Sequence, residues 1–221
     1  AEDSLDGNLT DSIVIIDSVN TLKPGSYTVL YNVIDASGNF AEEVTRFVTV
    51  ADTTGPLITL TGSGTVMHEA GTDYTDLGAT AFDIVDGNVS DSIEVTGTVD
   101  EAIPGEYQLV YSAKDSASNA AILVSRLVKV VDSVQPQITL VGEAELVIEA
   151  GLDYFDPGAI ASDSVDGELT GSLEIQSDVD VGAIGTYTVF FNVTDSSGNK
   201  ADEKVRLVQV VDRTPPVITL L

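Results

Sequence analysis

Aspartate is the residue through which this chain can do chemistry. Asp83 and Asp86 flank a short apolar segment that turns over at Gly87, and the arrangement returns at Asp3 and Asp6 and at Asp163 and Asp166, each time 80 residues on. A second acidic turn, D-x-S-G-N with Ala117-Ser118 in place of Ser-Gly in the second repeat, contributes Asp115 with Asn119 and Asp195 with Asn199, and a third acid, Asp52 or Asp132, closes each repeat. Carboxylate and amide oxygens from flexible turns are hard donors, and calcium asks for six to eight of them at about 2.3–2.6 Å. A D-x-x-D-G turn has too few to hold an ion alone and lacks the later bidentate Glu of an EF-hand loop. The turns therefore need partners, and Asx-turn formation on an acidic surface is the competing reading of the same residues.

Three copies in register make a tandem array. Pro56, Pro136 and Pro216 mark the domain entrances, giving a partial repeat at 1–52, complete repeats at 53–132 and 133–212, and the first strand of another at 213–221. Residues 1–52 lack the strands that 53–80 supply in the next copy. The expectation is a window of a longer repetitive chain, with strand exchange between head-to-tail subunits, through the PVITLL segment, as the alternative.

Inside each repeat the apolar residues alternate with polar ones and no helical period appears, so the class is all-β. The strongest strand puts Tyr107, Leu109, Tyr111 and Ala113 on one face, matched by Tyr27, Val29, Tyr31 and Val33 and by Tyr187, Val189, Phe191 and Val193. It is followed by the second acidic turn, as a hairpin, and a partner strand carrying Val48 and Val50 or Val128 and Val130. About seven short strands per 80 residues suit a Greek-key sandwich. Tyr27, Tyr107 and Tyr187 stand where a tyrosine corner would tie its phenol to nearby backbone. Arg46, Arg126 and Arg206 fall on the side of the core valines, which suggests snorkelling to an acid at the sandwich rim.

Composition narrows the function. With 36 acidic and 9 basic residues the net charge is −27, which repels nucleic-acid phosphate and anionic lipid and favours divalent counter-ions. A 43% hydrophobic content in alternating strands supports folding despite that charge. The chain has no cysteine, which removes disulfides and thiolate chemistry, and no apolar run long enough for membrane insertion. His68, the single histidine, is replaced by Ile148 one repeat on, and the lysines do not recur as an isopeptide crosslink would require. Repeated acids in turns are unlike a unique catalytic constellation, so the expectation is no enzyme.

The motifs P-x-I-T-L, E-A-G-x-D-Y-x-D-x-G-A-x-A, D-x-x-D-G-x-L-T, G-x-Y-x-V and D-x-S-G-N, followed by an R-x-V-x-V strand, resemble bacterial immunoglobulin-like repeats. The relatives are those of pesticidal crystal proteins and surface proteins, with hyalin repeats and cadherin-like surface domains further off. The resemblance implies tandem immunoglobulin-like β-sandwiches at an extracellular or cell-surface location. It also implies a structural or adhesive role as stalk, adhesin or fibre. The alternative is a spacer or carbohydrate-binding accessory module of a secreted enzyme, weakened by the absence of Trp and by aromatics that fall on core or strand faces. Partners would be neighbouring repeats or head-to-tail subunits, with a surface glycan or protein as ligand.

Threaded on such a sandwich, the acids meet where one repeat hands over to the next, an arrangement similar in logic to cadherin junctions. Asp52 would meet Asp83, Asp86, Asp115 and Asn119 at one joint, and Glu69 and Asp132 would meet Asp163, Asp166, Asp195 and Asn199 at the other. Calcium at these joints would stiffen the array.

Overall fold

The computed structural model describes residues 1–219. It divides into two compact units, one of residues 1–64, 76–97 and 109–126, the other of residues 65–75, 98–108 and 127–221. The first unit holds the first repeat together with the aspartate turn and hairpin of the second. The other holds the remainder of the second repeat and all of the third.

The third repeat shows how the sequence pattern becomes a sandwich. One sheet orders Glu145–Glu149, Lys204–Val211, Gly185–Asn192 and Glu174–Ser177, and the other orders Gln137–Leu140, Ala159–Asp163 and Gly167–Glu168. That makes seven strands, antiparallel throughout except where Glu145–Glu149 runs parallel to Lys204–Val211 at the sheet edge. Alternation sends Val189, Phe191 and Val193 from one strand and Val208 from its partner into a core shared with Ile138, Ala159 and Ala161. All seven are buried, and removing their apolar surface from water is the main stabilising term of the repeat.

The same elements recur in the second repeat. In the first unit Leu57–Leu60 pairs antiparallel with Ala79–Asp83, and Glu94–Thr96 pairs with Gly105–Ser112. In the second unit Thr65–Glu69 runs parallel to Val124–Val131. The first repeat has Val14–Asp17, Gly25–Asn32 and Val44–Val50 in one sheet and the short pair Glu2–Asp3 and Gly7–Asn8. Among the described residues the only helices are three three-residue turns, and none is long or apolar enough to cross a membrane. No strand is formed by residues 213–219, and the last two residues of the expected C-terminal strand lie outside the described residues.

Two side-chain placements follow from the pattern. Tyr27, Tyr107 and Tyr187 each donate their hydroxyl to the carbonyl four residues earlier, on Lys23, Ile103 and Ala183, at 2.7–2.9 Å. The tyrosine corner is thus present, with the ring half-buried over the glycine two residues before it. Two of the three arginines differ from the expected rim position: whereas Arg46 is exposed and lies over the Tyr31 ring, Arg126 and Arg206 are 1% and 0% exposed. Their guanidinium groups tolerate burial because every edge is used. Arg206 donates to the carbonyls of Glu143, Val141 and Gly158 and to the carboxylate of Asp156, and lies over the Phe191 ring. Arg126 does the same with Ser63, Thr61, Gly78 and Asp76, over Tyr111. Arginine therefore fastens the strand it sits on to two loops of its own repeat.

Candidate metal centres

Each aspartate turn is shaped by one carboxylate oxygen. Oδ1 of Asp83 accepts the amides of Val85 and Asp86 at 2.7 and 3.0 Å, and Oδ1 of Asp163 accepts those of Val165 and Asp166 at 2.7 and 3.1 Å. Gly87 and Gly167 then take φ of 75° and 72°, which a side chain would resist. Those amide donors, Asp86 first and Val85 second, hold the Asp83 carboxyl below the usual carboxylate range, so it is charged at neutral pH.

The second aspartate of the turn reaches the hairpin. Asp86 accepts the amide and hydroxyl of Ser116 at 2.7 and 2.9 Å, and Asp166 accepts those of Ser196 at 2.8 and 2.7 Å. The Ser196 amide, then its hydroxyl, keeps Asp166 below its ordinary pKa. The hairpin is in turn closed by Asp115, whose oxygens accept the backbone amide and the side-chain amide of Asn119, both at 2.7 Å. Asp195 holds Asn199 in the same way. The departure from the repeat at Ala117-Ser118 is absorbed without a new turn, since Ser118 takes φ of 70° where Gly38 and Gly198 take 87° and 93°.

The linker supplies the third part. Oδ1 of Asp52 accepts the amide and hydroxyl of Thr54, and Oδ1 of Asp132 accepts the Val134 amide, all at 3.2 Å. Asn199 also donates its side-chain amide to the Asp132 carbonyl at 3.1 Å, tying hairpin to linker. In the first unit the linker passes so close to the hairpin that a Cβ on Gly55 would run into the Ala120 carbonyl.

These parts bring acids together at both joints, and each cluster lies inside one compact unit. Carboxylate oxygens of Asp52, Asp86 and Asp115 lie within 4.8 Å of one another, as do those of Asp132, Asp163 and Asp166. Oxygens sharing one calcium at about 2.4 Å lie at most about 4.8 Å apart, so each trio can share one ion. The Oδ2 atoms of Asp52, Asp83, Asp132 and Asp163 are buried and have no hydrogen-bond partner among the described residues. A buried carboxylate oxygen without a donor is costly unless a cation or a proton meets it.

Not every expected residue joins. Both Glu69 oxygens are occupied by Ser133, through its amide at 2.8 Å and its hydroxyl at 2.7 Å, and Glu69 stands outside the acid trio. The Ser133 amide, then its hydroxyl, lowers its pKa. Glu149 repeats the contact with Arg213 and Thr214, so this glutamate fastens the departing linker. Asp83 lies outside the first trio and Asp195 outside the second, each next to it through the bonds above. Asn119 and Asn199 hold the hairpin aspartates by their side-chain amides. Sequence reasoning missed Ser116 and Ser196, although a serine directly after the hairpin aspartate recurs at both joints.

Parallel-edged sandwiches of seven strands, tyrosine corners and joints built of turns define an immunoglobulin-like repeat array. The model of the bacterial surface protein Ig-like domain matches residues 1–50, 58–130 and 138–210, and the chain belongs to that family. It is 31% identical over 216 residues to the pesticidal crystal protein Cry22Aa of Bacillus thuringiensis, covering 94% of this chain and 29% of that protein. Against hyalin of Strongylocentrotus purpuratus the identity is 28%, covering 88% and 17%. The chain thus spans less than a third of either relative. Among solved structures, Sidekick-1 immunoglobulin domains 1–4 align at 13% identity and TM-score 0.33, over 92% of this chain and 64% of that one.

Proposed function

We propose that this segment is a structural and adhesive part of a secreted or cell-surface repeat protein, and that calcium at its joints sets how stiffly one repeat is held to the next. The observation that carries the reading is the pair of buried, donorless carboxylate oxygens at each joint, Asp52 with Asp83 and Asp132 with Asp163. Membership of a surface-domain family supports the location. With net charge −27, the chain draws divalent cations and repels nucleic acid. Small-angle scattering and thermal melting in calcium and in EDTA test the reading together. Calcium should lengthen the largest dimension and raise the melting temperature, and identical profiles in both conditions would sink it.

A second reading, an accessory module that binds carbohydrate beside a catalytic domain, is favoured by one observation. Phe82 and Phe155 are 62% and 85% exposed, where aromatic rings can stack on sugars. A glycan-array screen of this segment with no bound sugar would dispose of it.

A further inference from the structure

At both joints the donorless oxygens belong to the same two residues, and in each residue the labour is divided. Oδ1 of Asp52 and Asp132 shapes the linker and Oδ1 of Asp83 and Asp163 shapes the turn, while Oδ2 of all four is buried and meets no donor among the described residues. Asp83 is 1% exposed and Asp132 8%, so bulk water does not serve them. Asp132 and Asp163 also lie in one trio with Asp166, and Asp83 joins the first trio through the amide of Asp86.

Resting on the calcium reading above, we infer that each joint takes one calcium ion, and that Oδ2 of the linker aspartate, Asp52 or Asp132, is an inner ligand beside the other carboxylates of its trio. Asp86 and Asp115 complete the carboxylate set at the first joint and Asp163 and Asp166 at the second, since an oxygen holding one donor keeps a free lone pair. Waters fill the remaining positions. The linker aspartate ends the preceding repeat, whereas the other ligands belong to the following one. Asp52 and Asp132 are therefore latches, and filling the site and fixing the linker are one event. Glu69 has no part in coordination, because it stands outside both acid trios.

The division of labour gives a specific test. Asparagine in place of either aspartate keeps Oδ1 and its loop-shaping bonds but puts an amide nitrogen where the ion needs an oxygen. Calcium titration calorimetry on the whole chain should show two ions for the native sequence and for Glu69→Gln. Asp52→Asn and Asp132→Asn should each keep one site unchanged and weaken the other by at least about tenfold. In EDTA both variants should melt no lower than the native chain, since a carboxylate charge with a donorless oxygen is removed. Two unchanged sites in either Asp→Asn variant would overturn the ligand assignment and leave the calcium reading standing. A native chain that takes up no calcium would overturn both. A lower melting temperature of the Asn variants in EDTA would make Oδ2 a structural acceptor, against the inference.

Discussion

Asp156→Asn removes the charge opposite a guanidinium that is 0% exposed and leaves the side chain's shape intact. Arg206 then keeps the carbonyls of Glu143, Val141 and Gly158 and the face of Phe191, but no anion. Breaking one partner of a buried ion pair costs about 3–5 kcal/mol, because the remaining charge stays desolvated. For a repeat of this size each kcal/mol is worth about 4–8 °C, so the melting temperature of the third repeat should fall by about 12 °C or more. Differential scanning calorimetry reads this as one transition moving while the others stay, since repeats unfold as nearest-neighbour units. The double change Asp156→Leu with Arg206→Met should cost less than the single one, because no charge is left behind. A single-variant cost below about 1 kcal/mol, or a double variant worse than Asp156→Asn, would refute the role given to the pair. The pair also fixes an acid limit. Burial alone would raise the Asp156 pKa, but the Tyr154 hydroxyl, the Gly158 amide and Arg206 together bring it below the ordinary value. Its stabilisation is therefore fully present above the unfolded carboxylate pKa and is lost as pH falls through the lower folded one. In return the Asp156 carboxylate, added to burial, pushes Tyr154 to about 12.

Gly55→Ala should destabilise the first joint by about 1–3 kcal/mol, since the new methyl group meets the Ala120 carbonyl and backbone must give way. Urea melts would show it as a lower midpoint, and an unchanged midpoint would contradict the close approach. Ser118→Gly should stabilise by about 0.5–1 kcal/mol, because the left-handed φ of 70° costs serine more than glycine loses in the unfolded chain. Thermal melting checks the sign. Ser116→Ala removes the hydroxyl donor from Oδ1 of Asp86, while the amide of residue 116 still holds Oδ2, and should weaken calcium at the first joint alone, read as a change in one of the two calorimetric sites.

The sandwich was legible because alternation is a local property: Leu109, Tyr111 and Ala113 are buried together, as are Val189, Phe191 and Val193. The joints were legible in part for the same reason, since Asp83 with Asp86 and Asp115 with Asn119 close turns over a few residues. What lay beyond was the choice each carboxylate makes among distant donors. Glu69 has the right charge in the right neighbourhood, but its reach ends on Ser133, 64 residues on. By sequence Arg126 belongs at the rim, since snorkelling lets an arginine share a face with core valines and still reach an acid. Only the folded loops show the carbonyls of Thr61, Ser63 and Gly78 that make burial tolerable. The exposure of Phe47 and Phe82 was equally hidden, since alternation separates the two faces of a strand without saying which one is covered, and Phe155 lies in a loop where alternation says nothing.

The claim at the centre of this account is that the donorless oxygens at the joints hold a metal. A crystal grown in calcium and measured at a long wavelength tests it most directly. An anomalous peak is expected at about 2.4 Å from Oδ2 of Asp132 and a carboxylate oxygen of Asp163, and a second beside Oδ2 of Asp52 and the carboxylates of Asp86 and Asp115. Water alone at those positions, or a carboxyl pair sharing a proton, would contradict it.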